Sequence, residues 1–181
     1  MGEAMDYQNF ISSKQIAVSQ SGFEPHNLSG SLFEYQRHCV EFALRAGRSA
    51  MFLDTGLGKT FCQLEYAREV VEHTNQPVLV LTPLAVAAQT AREADKFGID
   101  AKVIRDDGDV FNGVNIINYD RLDRLDVSQF SGVILDESSI LKNFSGNPRN
   151  QLVNAFRNTP YRLACTATPS PNDHTELGNH S

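Results

Sequence analysis

Short unbroken apolar runs alternate along this chain with longer stretches in which apolar residues recur every three or four positions. Val78-Leu79-Val80-Leu81 is apolar at every position, the pattern of a parallel strand buried on both faces. Further apolar runs fall at 50–53, 101–104, 114–117, 133–135 and 163–165. Between them, helical spacing predicts a helix from Leu32 through Tyr35, Val40, Phe42, Ala43 and Ala46, closed by Gly47 as its C-terminal cap. A second helix is predicted over about 59–73, with Phe61, Leu64, Ala67, Val70 and Val71 on one face, and an Ala-rich third over 84–97, ended by Gly98. Tyr7 to Lys14 reads as a short helix within a polar lead-in, residues 1–31, punctuated by Gly22, Pro25 and Gly30. Strands alternating with helices indicate an α/β domain with a mainly parallel sheet and right-handed crossovers.

With 181 residues the chain suits one domain with a real core. Its 41% hydrophobic and 21% charged residues are ordinary for a globular protein. No apolar run approaches the roughly 18 residues that span a bilayer, and Met1 to Asp6 open no secretory core, so a cytoplasmic protein is expected. Cys39, Cys62 and Cys165 are far apart and form no Cys-x-x-Cys or Cys/His cluster. That pattern indicates neither a disulfide framework nor a zinc site and predicts buried free thiols. A net charge of −6 argues against coating nucleic acid by charge alone. It leaves room for a narrow site built from backbone amides and a few arginines.

Leu53-Asp54-Thr55-Gly56-Leu57-Gly58-Lys59-Thr60 changes the picture most. It lies where a predicted strand turns into a predicted helix. Glycines there let the backbone wrap tightly, the N–H groups of the loop and helix N-terminus face an anion, and Lys59 reaches the outer phosphates of a nucleoside triphosphate. The Thr60 hydroxyl is then placed to ligate Mg²⁺. The generic phosphate-loop pattern wants a glycine at position 53, where this chain has Leu53, so a shorter form ending in Gly-x-Gly-Lys-Thr applies.

Val133-Ile134-Leu135-Asp136-Glu137 is an apolar strand ending in two acids, which at the carboxyl end of a parallel strand point into the ligand crevice. Asp136 is suited to holding Mg²⁺ through a water, and Glu137 to orienting and deprotonating the water that attacks the γ-phosphate. Thr166-Ala167-Thr168-Pro169 ends the last strand. Alone it reads as a turn; in this order behind a phosphate loop and two acids it reads as a pair of hydroxyls sensing the γ-phosphate.

The order of Gln36, Gly56-Leu57-Gly58-Lys59-Thr60, Thr82-Pro83, Asn118-Tyr119, Asp136-Glu137-Ser138-Ser139 and Thr166-Ala167-Thr168 resembles the first RecA-like lobe of a superfamily 2 helicase. The acidic box reads Asp-Glu-Ser-Ser where DEAD-box RNA helicases have Ala-Asp. Its continuation Ile140-Leu141-Lys142-Asn143 is similar to the Snf2-like branch, and Pro169 to Asp173 with Glu176 to His180 resembles Snf2-like helicases of phages and prophages. The resemblance implies an ATP hydrolase of the helicase type in a bacterial or phage-infected cell, with ATP and Mg²⁺ as cofactors and DNA, duplex by expectation, as partner. It implies that Gln36 reads the adenine edge, that Thr55 to Thr60 hold the phosphates, and that Thr166 and Thr168 couple nucleotide state to lobe movement. Thr82, Pro83, Asn118, Tyr119 and Arg121 fall where the family touches the nucleic-acid backbone; simple loop structure is the competing reading. Phe23 admits base stacking or, more often for an aromatic in a loop, packing.

On this reading residues 1–31 are the lead-in, 32–173 the ATP-binding lobe, and 174–181 the truncated start of a connection to a second RecA-like lobe. That lobe, in the same or another chain, supplies arginine fingers and half the nucleic-acid track. A stand-alone nucleotide-dependent binding module is the alternative. A small P-loop kinase fits the length, but Asp136-Glu137 suits water activation and no Arg-rich lid is present.

Overall fold

The computed structural model describes residues 21–137 and 152–167. The predicted helix at Tyr7 to Lys14, Ser138 and Ser139 of the acidic box with Ile140 to Asn143, and Thr168 with everything after it lie outside the described residues. The elements are α1 (Glu34–Ala46), β1 (Arg48–Phe52), α2 (Lys59–Thr74), β2 (Val78–Thr82), α3 (Ala87–Lys96), β3 (Ala101–Val103), β4 (Val114–Asn118), β5 (Gly132–Leu135) and β6 (Tyr161–Thr166). The six strands form one sheet in the order β1-β6-β5-β2-β4-β3, and every pairing is parallel. The α/β expectation therefore holds. Each predicted strand is present, with ends shifted by a residue or two as β1 begins at Arg48 and stops at Phe52.

Strand alternation builds two cores. Val78, Val80, Val114, Ile116, Ile134 and Leu163 join the apolar residues of α1, α2 and α3 on one face of the sheet. Leu79, Leu81, Ile117 and Val133 face the other way, against Phe130, Phe156 and the partly buried Tyr119, Leu122 and Leu125. That is why β2 is buried at all of its positions and shows no polar alternation.

α3 ends as predicted: Gly98, at φ 68°, donates to Asp95 O, and Ile99 donates to Ala94 O. This pair of bonds needs a left-handed residue, which glycine supplies without a Cβ clash. α3 starts later than its pattern suggested, at Ala87, leaving Leu84 exposed. α1 begins at Glu34, two residues after the predicted Leu32, and ends at Ala46 as predicted, but Tyr35 and Phe42 point to solvent.

α2 departs most from expectation. It was expected to bury one apolar face; it is buried on nearly all sides, including Gln63, Glu65 and Glu69. The two acids are satisfied by the segment before α1. Glu69 accepts from the backbone N–H of His26 (2.6 Å) and Asn27 (3.2 Å), and Glu65 from Ser29 N–H (2.6 Å). Arg68 pairs with Glu65 and Glu69 at 2.9 and 2.6 Å, also with Glu72, and donates to Asn27 O. Burial acts to lower the Arg68 pKa, but the hydrogen bonds and charges of Glu65 and Glu72 hold it above its ordinary value. The end of the lead-in is thereby strapped onto the lobe, and Phe23 stacks on His73 at the far end of α2 from the phosphate loop, as a packing residue. Glu69→Ala removes one buried carboxylate partner of Arg68 and leaves the His26 and Asn27 N–H groups without their acceptor. It is expected to cost about 3–5 kcal/mol of stability, read by urea unfolding; a loss under about 1 kcal/mol would show the strap to be decorative.

Candidate functional site

The loop Asp54 to Gly58 joins the end of β1 to the start of α2 at the carboxyl edge of the sheet. Gly58 is the N-cap of α2 at φ 71°, and a Cβ there would lie 2.3 Å from Gln36 Nε2. Only glycine meets both demands, left-handed backbone and close approach. The first turn of α2 carries no acidic side chain, so the positive end of the helix faces the loop uncompensated. Thr55, Gly56 and Leu57 are exposed, and Gly58, Lys59 and Thr60 are half-buried.

Parallel pairing of β5 with β6 and β2 brings the ends of three strands beside this loop. Lys59 Nζ lies 3.3 Å from Glu137 Oε2 and 3.6 Å from Asp136 Oδ1. Thr166 donates its hydroxyl to Glu137 Oε1 at 2.7 Å. Glu137 sits at φ 53°, a left-handed conformation that a non-glycine residue adopts at a cost of about 1–3 kcal/mol and that concentrates at functional sites. Four residues from separate motifs thus converge: Lys59, Asp136, Glu137 and Thr166. Lys59 and Glu137, in contact here, are 78 residues apart along the chain.

Gln36 is 4% exposed and caps α1: its Oε1 accepts from Phe33 N–H at 3.0 Å. Its Nε2 donates to Leu57 O at 3.0 Å, and the Tyr35 hydroxyl donates to the same carbonyl at 3.1 Å. The candidate base-reading residue therefore touches the phosphate loop directly. The exposed Phe33 and Tyr35 rings lie nearly parallel beside it, with centroids 6.0 Å apart.

The five candidate nucleic-acid residues separate. Thr82 and Asn118 are paired neighbours at the ends of β2 and β4, and both side chains are buried. Tyr119 turns inward: its hydroxyl donates to the Asp136 carbonyl at 2.8 Å. Burial first, then the nearby Asp136 charge, holds its phenol well above the ordinary range, so it stays a neutral donor bracing the acidic strand end. Pro83 and Arg121 are partly exposed, with Leu84 projecting between strand and α3 at 69% exposure.

Sequence reasoning missed Gln63. It is 1% exposed, and its Nε2 donates to Asp136 Oδ1 at 2.8 Å. Its Oε1 has no hydrogen-bond partner, a state that costs about 1–3 kcal/mol in a buried carbonyl. The available signal was its place four residues after Lys59, on the same side of α2. The three cysteines are free as expected, and burial pushes the Cys62 thiol up to about 12 and raises Cys165 further, so both are inert beneath the site.

Comparison with known proteins agrees with this geometry. The family described as Type III restriction enzyme, res subunit (ResIII), matches residues 29–171. A Xenopus laevis SWI/SNF-related matrix-associated actin-dependent regulator of chromatin subfamily A-like protein 1 is 29% identical over 164 residues, covering 83% of this chain and 17% of the relative. The DNA 3'-5' translocase XPB2 of Sulfurisphaera tokodaii is 27% identical over 179 residues, covering 93% of this chain and 39% of that protein. The chain thus spans well under half the length of these relatives. Among solved structures, the UvsW helicase of bacteriophage T4 superposes with a TM-score of 0.70 at 16% identity, covering 98% of this chain and 64% of that one. The Sulfolobus solfataricus SWI2/SNF2 ATPase core in complex with dsDNA gives 0.69 at 24% identity, over 87% and 36%. At these identities the superpositions show a shared RecA-like fold. The matched span runs from before α1 to beyond β6 and takes in the whole site, so the chain belongs to the ResIII family, as an N-terminal RecA-like lobe of the superfamily 2 helicase type.

Proposed function

We propose that this lobe binds Mg·ATP and, paired with a second RecA-like lobe in the same or another chain, couples ATP hydrolysis to movement along DNA, with duplex DNA the expected track. The observation that carries the reading is Lys59 of the phosphate loop held between Asp136 and Glu137, with Thr166 on the far side of Glu137. The DNA-related names of the relatives support the choice of track. Residues 32–173 form the working lobe, and Thr166 with Thr168 couples it to its partner. No helix among the described residues is long and apolar enough to cross a membrane, and the proposed setting is the cytoplasm of a bacterial or phage-infected cell.

The donor set suits a hydrated divalent cation: Asp136 has an oxygen, Oδ2, with no hydrogen-bond partner among the described residues, and Thr60 stands in the first turn of α2. Bound Mg²⁺ would supply the charge that offsets the triphosphate. The chain's own groups do the rest. Lys59 exchanges its carboxylates for phosphate oxygens, and the loop amides and helix N-terminus hold the remaining anionic charge. Glu137, released from Lys59, takes the proton of the attacking water. Thr166, which already donates to Glu137, reports that change to β6. Gln36 exchanges Leu57 O for the adenine edge, which ties base recognition to the loop.

Lys59→Ala tests the reading. Loss of a charge-assisted contact worth about 3 kcal/mol is expected to weaken Mg·ATP binding about 100-fold, measured by fluorescence titration. Equal affinity in wild type and variant would overturn the phosphate-loop assignment.

A further inference from the structure

Lys59 and Gln63 stand one turn apart on α2 and reach the same atom, Asp136 Oδ1, at 3.6 and 2.8 Å. An ionised carboxylate only accepts hydrogen bonds, so the glutamine must present its NH₂ group to it, and its own carbonyl is then directed away. A leucine or methionine would fill this volume and leave no buried carbonyl without a partner. What the amide adds is a fixed orientation for the Asp136 carboxyl group.

We propose that Gln63 is the positioning residue for Asp136: by holding Oδ1 from beneath, it turns Oδ2 toward the crevice, where a hydrated divalent cation binds. This rests on the reading of the site as one for Mg·ATP. Lys59 leaves Oδ1 when it moves to the phosphates, and Gln63 then remains as the group that keeps the carboxylate in place. Groups that orient metal ligands in this way typically change metal affinity by about 10–100-fold when removed.

The test titrates Mg²⁺ into the 181-residue chain with a mant-labelled, non-hydrolysable ATP analogue. Gln63→Met, similar in length but without the donor, is expected to raise the half-saturating Mg²⁺ concentration about tenfold and to leave analogue binding in EDTA unchanged. In the Asp136→Asn background the same substitution is expected to add nothing, because the group it positions is gone. Gln63→Leu, which also removes the donor without adding charge, is the second variant and is expected to shift Mg²⁺ dependence in the same direction should the methionine variant fail to fold. An unshifted Mg²⁺ dependence in a folded variant overturns the proposal. So does an equal loss of analogue binding with and without Mg²⁺, or a fully additive loss in the double variant, since packing alone produces those results. A wild-type chain indifferent to Mg²⁺ overturns the Mg·ATP reading itself and the inference with it.

Discussion

Assayed alone with saturating Mg·ATP and duplex DNA, the 181-residue chain is expected to turn over ATP about 10³–10⁵-fold more slowly than the same lobe working with a second RecA-like lobe. The magnitude is that of an arginine finger supplied across a domain boundary. Among the described residues, Lys59 meets both acids and approaches them from the phosphate-loop side. Arg68 is committed to Glu65, Glu69 and Glu72, Arg45 to Glu24 and Glu41, and Arg37 to the Ser29 carbonyl. Releasing Arg68 would strand two buried carboxylates, so it cannot swing to a triphosphate at small cost. Among the described residues, charge growing on the γ-phosphate oxygens is met by Lys59 from the phosphate-loop side, and movement along DNA needs two lobes that open and close. The measurement is steady-state ATPase of the isolated chain, with and without DNA, against the same chain after addition or fusion of a second lobe. Robust DNA-stimulated turnover by the isolated chain would show that these residues hold a complete catalytic centre and would remove the need for a partner lobe.

The parts of the site that were legible in the sequence are those whose backbone and side-chain demands are local. Gly58 takes a left-handed φ that favours glycine whatever its surroundings, and Asp136-Glu137 must follow an apolar run to stand at a strand end. The four apolar residues of β2 announced a strand with two cores because each face packs its own alternate residues. What stayed hidden depends on partners far along the chain. Glu65 and Glu69 look like the solvent side of an amphipathic α2, yet both are buried, because backbone amides 36 to 43 residues earlier complete their hydrogen bonds. Tyr119 reads as a loop residue near nucleic acid, but the Asp136 carbonyl gives its hydroxyl an inward partner. Gln63 is an ordinary polar helix residue until β5 and β6 are laid beside α2. The same tertiary satisfaction that overrides patterning in α2 is what carries the site's support.

Glu137→Gln is expected to lower ATP turnover by about 10³-fold when a second lobe is present, while leaving nucleotide affinity equal to wild type or a few-fold tighter. The two halves of this result come from the two oxygens of Glu137. Oε1 accepts from Thr166, and a glutamine carbonyl accepts that bond equally well, so the side chain keeps its orientation and its left-handed backbone. Oε2 now faces Lys59 at 3.3 Å, and in the variant an NH₂ group stands there instead. Two donors cannot satisfy one another, so Lys59 is freed from one of the two carboxylates that compete with phosphate for it. Binding is therefore spared or improved. Hydrolysis is not, because the amide cannot take a proton from water at neutral pH and the loss falls within the range of a general base. Isothermal titration with a non-hydrolysable analogue and a turnover assay on the same preparation separate the two effects. Unchanged turnover would move the base to another residue. A joint loss of binding and turnover would mean that Glu137 serves mainly to hold Lys59 and Thr166 in place.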